Sequence, residues 1–225
     1  MTPRLVEVRK NVLKGNDLVA SELRRRFHQA AVLVVSLVSS PGSGKTTFLE
    51  ETLTRLQPRY RVAALVGDLA TENDALRLAR SQAPVAQINT GTICHLEAAM
   101  IENAIDGLAL DRLDYLFIEN VGNLVCPSSY DLGEDLRVVM ISVTEGEDKP
   151  LKYPTIFNSA DMAIITKTDL ALAVDFDWRA ANSNIQAVRP GMPVFSVSAK
   201  TGEGIGKWLE LLSSMRRNNS LARII

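Results

Sequence analysis

Two sets of residues in this sequence have the types and spacing to do chemistry. The first is SSPGSGKTT at residues 39–47. Gly42 and Gly44 allow backbone amides to curl around an anion without a Cβ in the way. Ser43, Lys45, Thr46 and Thr47 complete the candidate cradle: Lys45 has the reach for terminal phosphates, and the Thr46 hydroxyl suits Mg²⁺. A helix starting here would aim its N-terminal dipole at the phosphates. The pattern G-x-x-x-x-G-K-S/T is met except at its first position, which is Ser39. The second set is the soft donors. The chain has two cysteines, Cys94 and Cys126, and two histidines, His28 and His95. Any transition-metal site must draw on these four, and two of them are adjacent.

Further residues extend the phosphate site. DYLFIENVG at 114–122 reads as an apolar strand ending in Glu119, with Gly122 three residues on. A carboxylate at a strand's C-terminal end can hold Mg²⁺ or its water, and the glycine amide can meet a γ-phosphate and so sense hydrolysis. Asp68, ending the strand before it, is a second candidate for the magnesium shell. Thr166-Lys167-Thr168-Asp169 and Ser198-Ala199-Lys200 resemble the N-K-x-D and S-A-K guanine-recognition motifs of GTPases. Asp169 would accept from the guanine N1–H and 2-amino group, Lys167 would lie over the base, and the Ala199 amide would face the guanine carbonyl. Thr166 stands where Asn is usual, which removes an amide that braces the loop and weakens the expected base selectivity. No arginine finger or water-positioning glutamine stands out, so intrinsic hydrolysis should be slow.

Cys94 and His95 are expected at the start of a helix, His95 to Ile105, where the helix N-terminus favours thiolate. Cys126 follows Gly122 closely, so a metal held by Cys94, His95 and Cys126 would sit beside a nucleotide-sensing turn. Three ligands do not close a tetrahedral or square-planar shell. A water, a backbone atom or a second subunit must complete it, and a two-fold dimer would supply the mates. His28, in an amphipathic segment, reads as structural.

The elements that must position these groups follow from periodicity. Short β-branched apolar runs recur at 32–38, 62–66, 85–88, 115–118, 138–143, 163–165 and 194–197. Helix-like spacings separate most of them, as at 46–56 and 205–215. Buried apolar strands with helices between them indicate a doubly wound α/β fold, mainly parallel, of about seven strands. Residues 1–225 read as one domain, with 1–30 a helical extension packing on it and an amphipathic helix at 17–28. The polar stretch EGEDKPLKYP, 145–154, reads as an irregular functional loop. Lys149 and Lys152 in it are expected exposed, or else reaching a nucleotide, including a neighbouring subunit's. Arg24-Arg25-Arg26 reads as a solvated helix face, and Trp178 and Trp208 as packing residues. A net charge of −1 argues against a cationic nucleic-acid binder. Two cysteines exclude a disulfide scaffold, and four soft donors exclude a metal store. No signal peptide or span of roughly 20 apolar residues is visible, so no membrane partner and a cytoplasmic location are expected.

The motifs SSPGSGKTT, NTGTICHLEAAM, FIENVGNLVCP, YDLGED and SVTEGEDKPLKYP together resemble the HypB family of hydrogenase nickel-incorporation GTPases, over nearly the whole chain. The resemblance implies a P-loop fold of the SIMIBI class, GTP-dependent dimerisation and slow GTP hydrolysis to GDP. It implies nickel delivery to the large subunit of nickel–iron hydrogenase and a partner resembling HypA, a small zinc metallochaperone. It also implies a nickel or zinc site at the dimer interface, carried to Cys94, His95 and Cys126. Two departures stand out: no N-terminal cysteine motif or histidine-rich stretch, and Thr166 for Asn. A urease or cobalamin-enzyme chaperone GTPase is the near alternative, although the urease relatives place Cys and His in one Cys-Pro-His motif. A metal-buffering protein is the more distant one, and Glu119 in place of Asp argues against a signalling GTPase.

Overall fold

The computed structural model describes residues 4–68 and 73–221; the first three residues of the expected N-terminal extension lie outside these. A long helix α1 (Arg4–Ala30) leads into β1 (Leu33–Ser39), followed by α2 (Lys45–Leu56), β2 (Val62–Asp68), α3 (Asn73–Leu78) and β3 (Val85–Asn89). Next come α4 (Ala98–Ile105), β4 (Tyr115–Glu119), β5 (Leu136–Ser142), α5 (Lys149–Lys152) and α6 (Pro154–Ser159). The chain closes with β6 (Met162–Thr166), α7 (Trp178–Val188), β7 (Val194–Ser196) and α8 (Ile205–Leu221). The seven strands form one sheet in the order β3-β2-β4-β1-β5-β6-β7, and every pairing is parallel. The expected seven strands are all present.

Alternation along the strands explains the two covered faces. Leu33, Val35 and Leu37 of β1 pack with Phe48, Leu49 and Leu53 of α2 and with Trp208 of α8. Val34, one residue out of phase, packs with Leu23 and Phe27 of α1 and Ile101 of α4. Val139, Ile141 and Ala163 bury Phe157 of α6 and Ile185 of α7 on that same second face. Trp208 is fully buried, as expected, and donates its indole N–H to Thr52 Oγ1 at 3.2 Å. Trp178 differs: it is 39% exposed and stands edge-on to Phe176.

Three expectations are corrected. First, helix α4 begins at Ala98 and not at His95. Glu97 is extended, and the first helical amide, Ala98 N–H, donates to Asn16 Oδ1 of α1 at 2.8 Å. Cys94 and His95 therefore lie in the loop before the helix, outside its first turn. Second, residues 145–154 are not irregular. Ser142 and Glu145 form a capping box around a short 3-10 turn, α5 follows, and Pro150 and Pro154 occupy first-turn positions where a missing N–H costs nothing. Lys149 is mostly buried and pairs with Glu145 at 3.2 Å, whereas Lys152 is exposed as expected. Third, the arginine triplet is only partly a solvated face. Arg25 pairs within α1 with Glu22. Arg24 grips Asp131 through two hydrogen bonds of 2.7 and 2.9 Å, and Arg26 approaches Glu102 and Asp106 near the end of α4.

The YDLGED segment, residues 130–135, is the lock that seats α1 on the sheet. Glu134 and Arg137 form a buried ion pair at 2.7 Å, and Glu134 also accepts from Ser36 Oγ and Leu132 N–H. Asp135 accepts the Val34 N–H and meets His28 at 2.9 Å, which gives that histidine its structural place. Gly133 has φ +80, and a Cβ there would lie 2.8 Å from the Ala20 carbonyl oxygen. Asn16, buried, joins the parts: its amide nitrogen donates to Asp131 O at 2.8 Å while its oxygen holds α4. Asn16→Ala strands a buried carbonyl and a buried amide. It is expected to lower stability by about 2–3 kcal/mol, read as a lower urea midpoint with an unchanged slope.

Candidate functional site

The sheet order puts β1 between β4 and β5, so the loops leaving β1, β2 and β4 converge at one end. The β1–α2 loop curls through Gly42 and Gly44, both at positive φ (75° and 89°). Gly44 precedes the first helical residue, Lys45. Ser43 is buried and donates its hydroxyl to Ser40 O, so its side chain shapes the loop from inside and does not line the cleft. Lys45, 7% exposed, donates to Ser39 Oγ at 2.9 Å. Burial pushes its pKa down, against the pull of Glu119, Asp74 and Glu145.

Parallel register sets Glu119 beside Leu37 of β1 and Val66 of β2, at the C-terminal end of the sheet. Its Oε1 accepts from Thr46 Oγ1 at 2.7 Å, and its Oε2 is buried with no hydrogen-bond partner. Burial pushes this carboxyl up to about 7, while Lys45 and the Thr46 hydroxyl pull it down. Glu119, Thr46 and Asp68 face one cleft of about 490 Å³, with Gly44, Lys45, Thr47 and Gly122 also on its walls. A Cβ at Gly122 would meet Pro41 at 3.0–3.1 Å, so the turn after β4 touches the β1–α2 loop backbone to backbone. The buried orphan oxygen of Glu119, opposite a threonine hydroxyl and near a second acid, is a donor set suited to a hard divalent cation.

A second cleft, about 200 Å³, opens on the other side of Thr47. Lys167, Asp169, Ala199 and Lys200 line it. Lys167 takes a left-handed conformation and donates to Gly42 O at 2.7 Å. Asp169 is held by Ser198 Oγ at 2.6 Å. Thr166 braces the loop through a hydroxyl instead of an amide, donating to Ser43 O at 2.6 Å and approaching Ile141 O at 3.2 Å. A brace is therefore present at this position without the Asn amide.

The third cluster joins Cys94, His95 and Cys126, whose ligand atoms all lie within 4.8 Å of one another. The two sulfurs are 3.0 Å apart. Both ring nitrogens of His95 are buried and make no hydrogen bond; Nε2 lies 3.3 Å from Glu97 Oε1, off the hydrogen-bonding direction. The His95 ring rests on Tyr130, centroids 4.0 Å apart. A histidine buried with two unsatisfied nitrogens beside two thiols is a set of donors for a borderline or soft cation.

Several site-lining residues carry no motif that reveals them in the sequence. Asp74 and Arg77 of α3 stand on the wall of the first cleft. Glu145 accepts from Ser40 Oγ, in a very short contact, and from Ser142 N–H at 2.8 Å. Although burial pushes its pKa up, the hydrogen bonds from Ser40, Ser142 and Lys149 prevail and hold it below the usual range. Tyr130 gives no sign of its stack on His95 until the loops are folded.

A parallel sheet with a glycine-bearing loop between β1 and α2 defines a P-loop nucleotide-binding protein. The family CobW/HypB/UreG, nucleotide-binding domain, matches residues 33–196. The hydrogenase maturation factor HypB of Azotobacter chroococcum mcd 1 is 46% identical over 223 residues, 98% of this chain and 72% of that protein. HypB of Escherichia coli (strain K12) is 47% identical over 213 residues, 95% and 73% respectively. The crystal structure of HypB from Helicobacter pylori in complex with nickel superimposes with a TM-score of 0.86 at 42% identity, covering 91% of this chain and 96% of that one. The chain belongs to the HypB family of hydrogenase maturation factors. The signal recognition particle 54 kDa protein of Aeropyrum pernix K1 shares the fold alone: TM-score 0.57 and 17% identity over 86% of this chain and 49% of that one.

The raised pKa of Glu119 has a measurable sign. The folded protein holds this proton up to about pH 7, while the unfolded chain releases it near 4.5. Stability without nucleotide or metal therefore falls as pH rises from about 4.5 through 7. Glu119→Gln should flatten that slope and raise stability at pH 8 by on the order of 2–3 kcal/mol. Urea unfolding at pH 5 and pH 8 checks this; parallel profiles for the two proteins would mean that Glu119 is ionised throughout.

Proposed function

We propose that this protein is a GTP-hydrolysing metallochaperone that binds nickel and assists its insertion into the large subunit of nickel–iron hydrogenase. The observation that carries the proposal is the single short segment between the two clusters. Glu119 and Gly122 are on the first cleft, and Cys126 is in the donor cluster. Asn120 Oδ1 accepts from Leu96 N–H at 3.1 Å, and Asn123 Nδ2 donates to Cys94 O at 3.2 Å, so the other two ligands hang from the same segment.

Lys45 places positive charge against the β- and γ-phosphates, with the amides of Gly42, Ser43, Gly44, Lys45, Thr46 and Thr47 around them. Thr46, Asp68 and Glu119 would hold Mg²⁺, which when bound neutralises charge on the β- and γ-phosphate oxygens. The Gly122 amide faces the terminal phosphate. Lys167 and Asp169, supported by Ser198, Ala199 and Lys200, select guanine. Asp169 takes two hydrogen bonds that adenine cannot supply. Among the described residues, the arginine lining the first cleft is Arg77 of α3, and with none from the loops there turnover to GDP is slow.

Cys94, His95 and Cys126 hold the transported ion, nickel or zinc. Three protein ligands leave the shell open. The exposed Ile93 and Val125 flank the two cysteines, and a second copy packed there in the GTP state would cover them and complete the coordination. The partners are then a homodimer mate, a HypA-like zinc metallochaperone and the hydrogenase large subunit, in the cytoplasm. Among the described residues, no helix is long and apolar enough to cross a membrane.

Size and nickel stoichiometry, measured together in GDP and in a non-hydrolysable GTP analogue, test the reading. The analogue should favour a dimer and change nickel affinity by roughly 5- to 150-fold relative to GDP. Lys45→Ala should lose nucleotide binding and with it the difference. Identical nickel affinities in both nucleotides would reduce the protein to a metal buffer. Asp169→Asn should shift preference from GTP toward xanthosine triphosphate; equal wild-type affinity for ATP and GTP would contradict guanine selection.

A further inference from the structure

Arg77 stands on the wall of the first cleft with no part in the roles above. It lies on α3, packed beside α2, and its Nη2 donates to Thr47 Oγ1 at 2.9 Å. Glu50, one turn along α2 from Thr47, is 3.7 Å away and steadies the guanidinium from behind. The side chain is 39% exposed. A guanidinium carries five N–H donors in a fixed fork, and the bond to Thr47 occupies one of them.

Thr47, with Gly44 and Lys167, lines both clefts. It lines the phosphate cleft with Lys45, Thr46 and Glu119, and the base cleft with Lys167 and Asp169. A nucleotide that fills both passes along this shared wall. The group of a nucleoside triphosphate lying between the base and the terminal phosphates is the ribose with its α-phosphate. The reacting end is farther on, at Glu119 and Gly122. Charge points the same way. Asp68, Asp74 and Glu119 put three carboxyl groups on the cleft wall. Of the cations there, Lys45 belongs to the terminal phosphates and the Lys167 ammonium is bound to Gly42 O.

We propose that Arg77 is a nucleotide-binding residue: held beside Thr47, its guanidinium donates to the α-phosphate. It strengthens binding of tri- and diphosphate alike and does not accelerate hydrolysis. An arginine finger must reach the terminal phosphate, whereas the Nη2 of Arg77 is tied to Thr47, on the stretch of wall that the two clefts share. The inference rests on reading the two clefts as one guanine-nucleotide site.

The experiment is equilibrium binding of GDP, and of GTP with Mg²⁺, to the wild type, Arg77→Ala, Arg77→Lys and Arg77→Gln, with single-turnover hydrolysis at saturating GTP. Loss of a charge-assisted hydrogen bond should weaken GTP and GDP by the same factor, roughly 10- to 100-fold, in Arg77→Ala. The hydrolysis rate at saturation should not change, as expected when uniform binding is removed. Arg77→Lys should recover part of the affinity. Arg77→Gln keeps a donor for Thr47 without the charge, so it should bind as weakly as Arg77→Ala while retaining more of the wild-type melting temperature. Unchanged affinity for both nucleotides, a loss confined to GTP, or slower hydrolysis at unchanged affinity would each overturn the proposal. A wild type that binds no guanine nucleotide overturns the reading of the clefts itself, and is told apart by needing no variant.

Discussion

One short piece of chain, Glu119 to Cys126, runs from the first cleft to the donor cluster. One end is the last residue of a central strand, fixed by register against β1 and β2. The other is the thiol of Cys126, in a 3-10 turn. Between them, Gly122 touches Pro41 of the β1–α2 loop, while Asn120 and Asn123 reach across to the loop of Cys94 and His95. Two sites of different chemistry are thus two ends of one short piece of backbone. Coupling between them needs no long pathway, only two positions of this segment that the nucleotide and the metal prefer unequally.

The electrostatics of the first cleft give a bound nucleotide and its cation charges to match. Glu119 and Lys45 are both taken almost wholly out of water, and each has its pKa moved toward the neutral form by that burial. Their mutual attraction offsets the desolvation only in part. A buried pair of this kind stabilises the fold little, and its retention at a cleft fits a site whose charges are matched by ligand. Glu145 adds a second tie. Through Ser40 and Lys149 it fastens the β1–α2 loop to the turn and helix that follow β5, so the loop is braced on the side away from Glu119.

Much of this could be read in the sequence because its signals were local. Seven apolar runs gave seven strands, and the glycines of residues 39–47 and the acid ending DYLFIE gave the cleft. What escaped depended on partners far along the chain. The start of α4 was misplaced because its cap is Asn16, 82 residues away, and no local capping residue marks Ala98. The arginine triplet looked solvated because Asp131, which Arg24 grips, is 107 residues distant. Residues 145–154 looked irregular because their prolines are breakers in the middle of helices and good residues in first turns. Arg77 sits in an ordinary helical run, and only the packing of α3 on α2 turns it toward Thr47.

The donor cluster is supported unevenly, and the unevenness follows the fold. His95 is set from behind: its ring stacks on Tyr130, whose neighbours Asp131, Glu134 and Asp135 are clamped by Arg24, Arg137 and the β1 backbone. Asn16 fixes both that segment and the first turn of α4. A ligand oriented by such outer partners keeps its ring in place when the ion leaves. Cys126 hangs from the segment tied to the phosphate cleft, next to an exposed Val125. His95 thus has a support of its own besides the Asn120 and Asn123 contacts that its loop shares with the segment of Cys126. Of the chain's two cysteines and two histidines, three are thereby brought together by loops alone, at one end of a sheet that holds none of them.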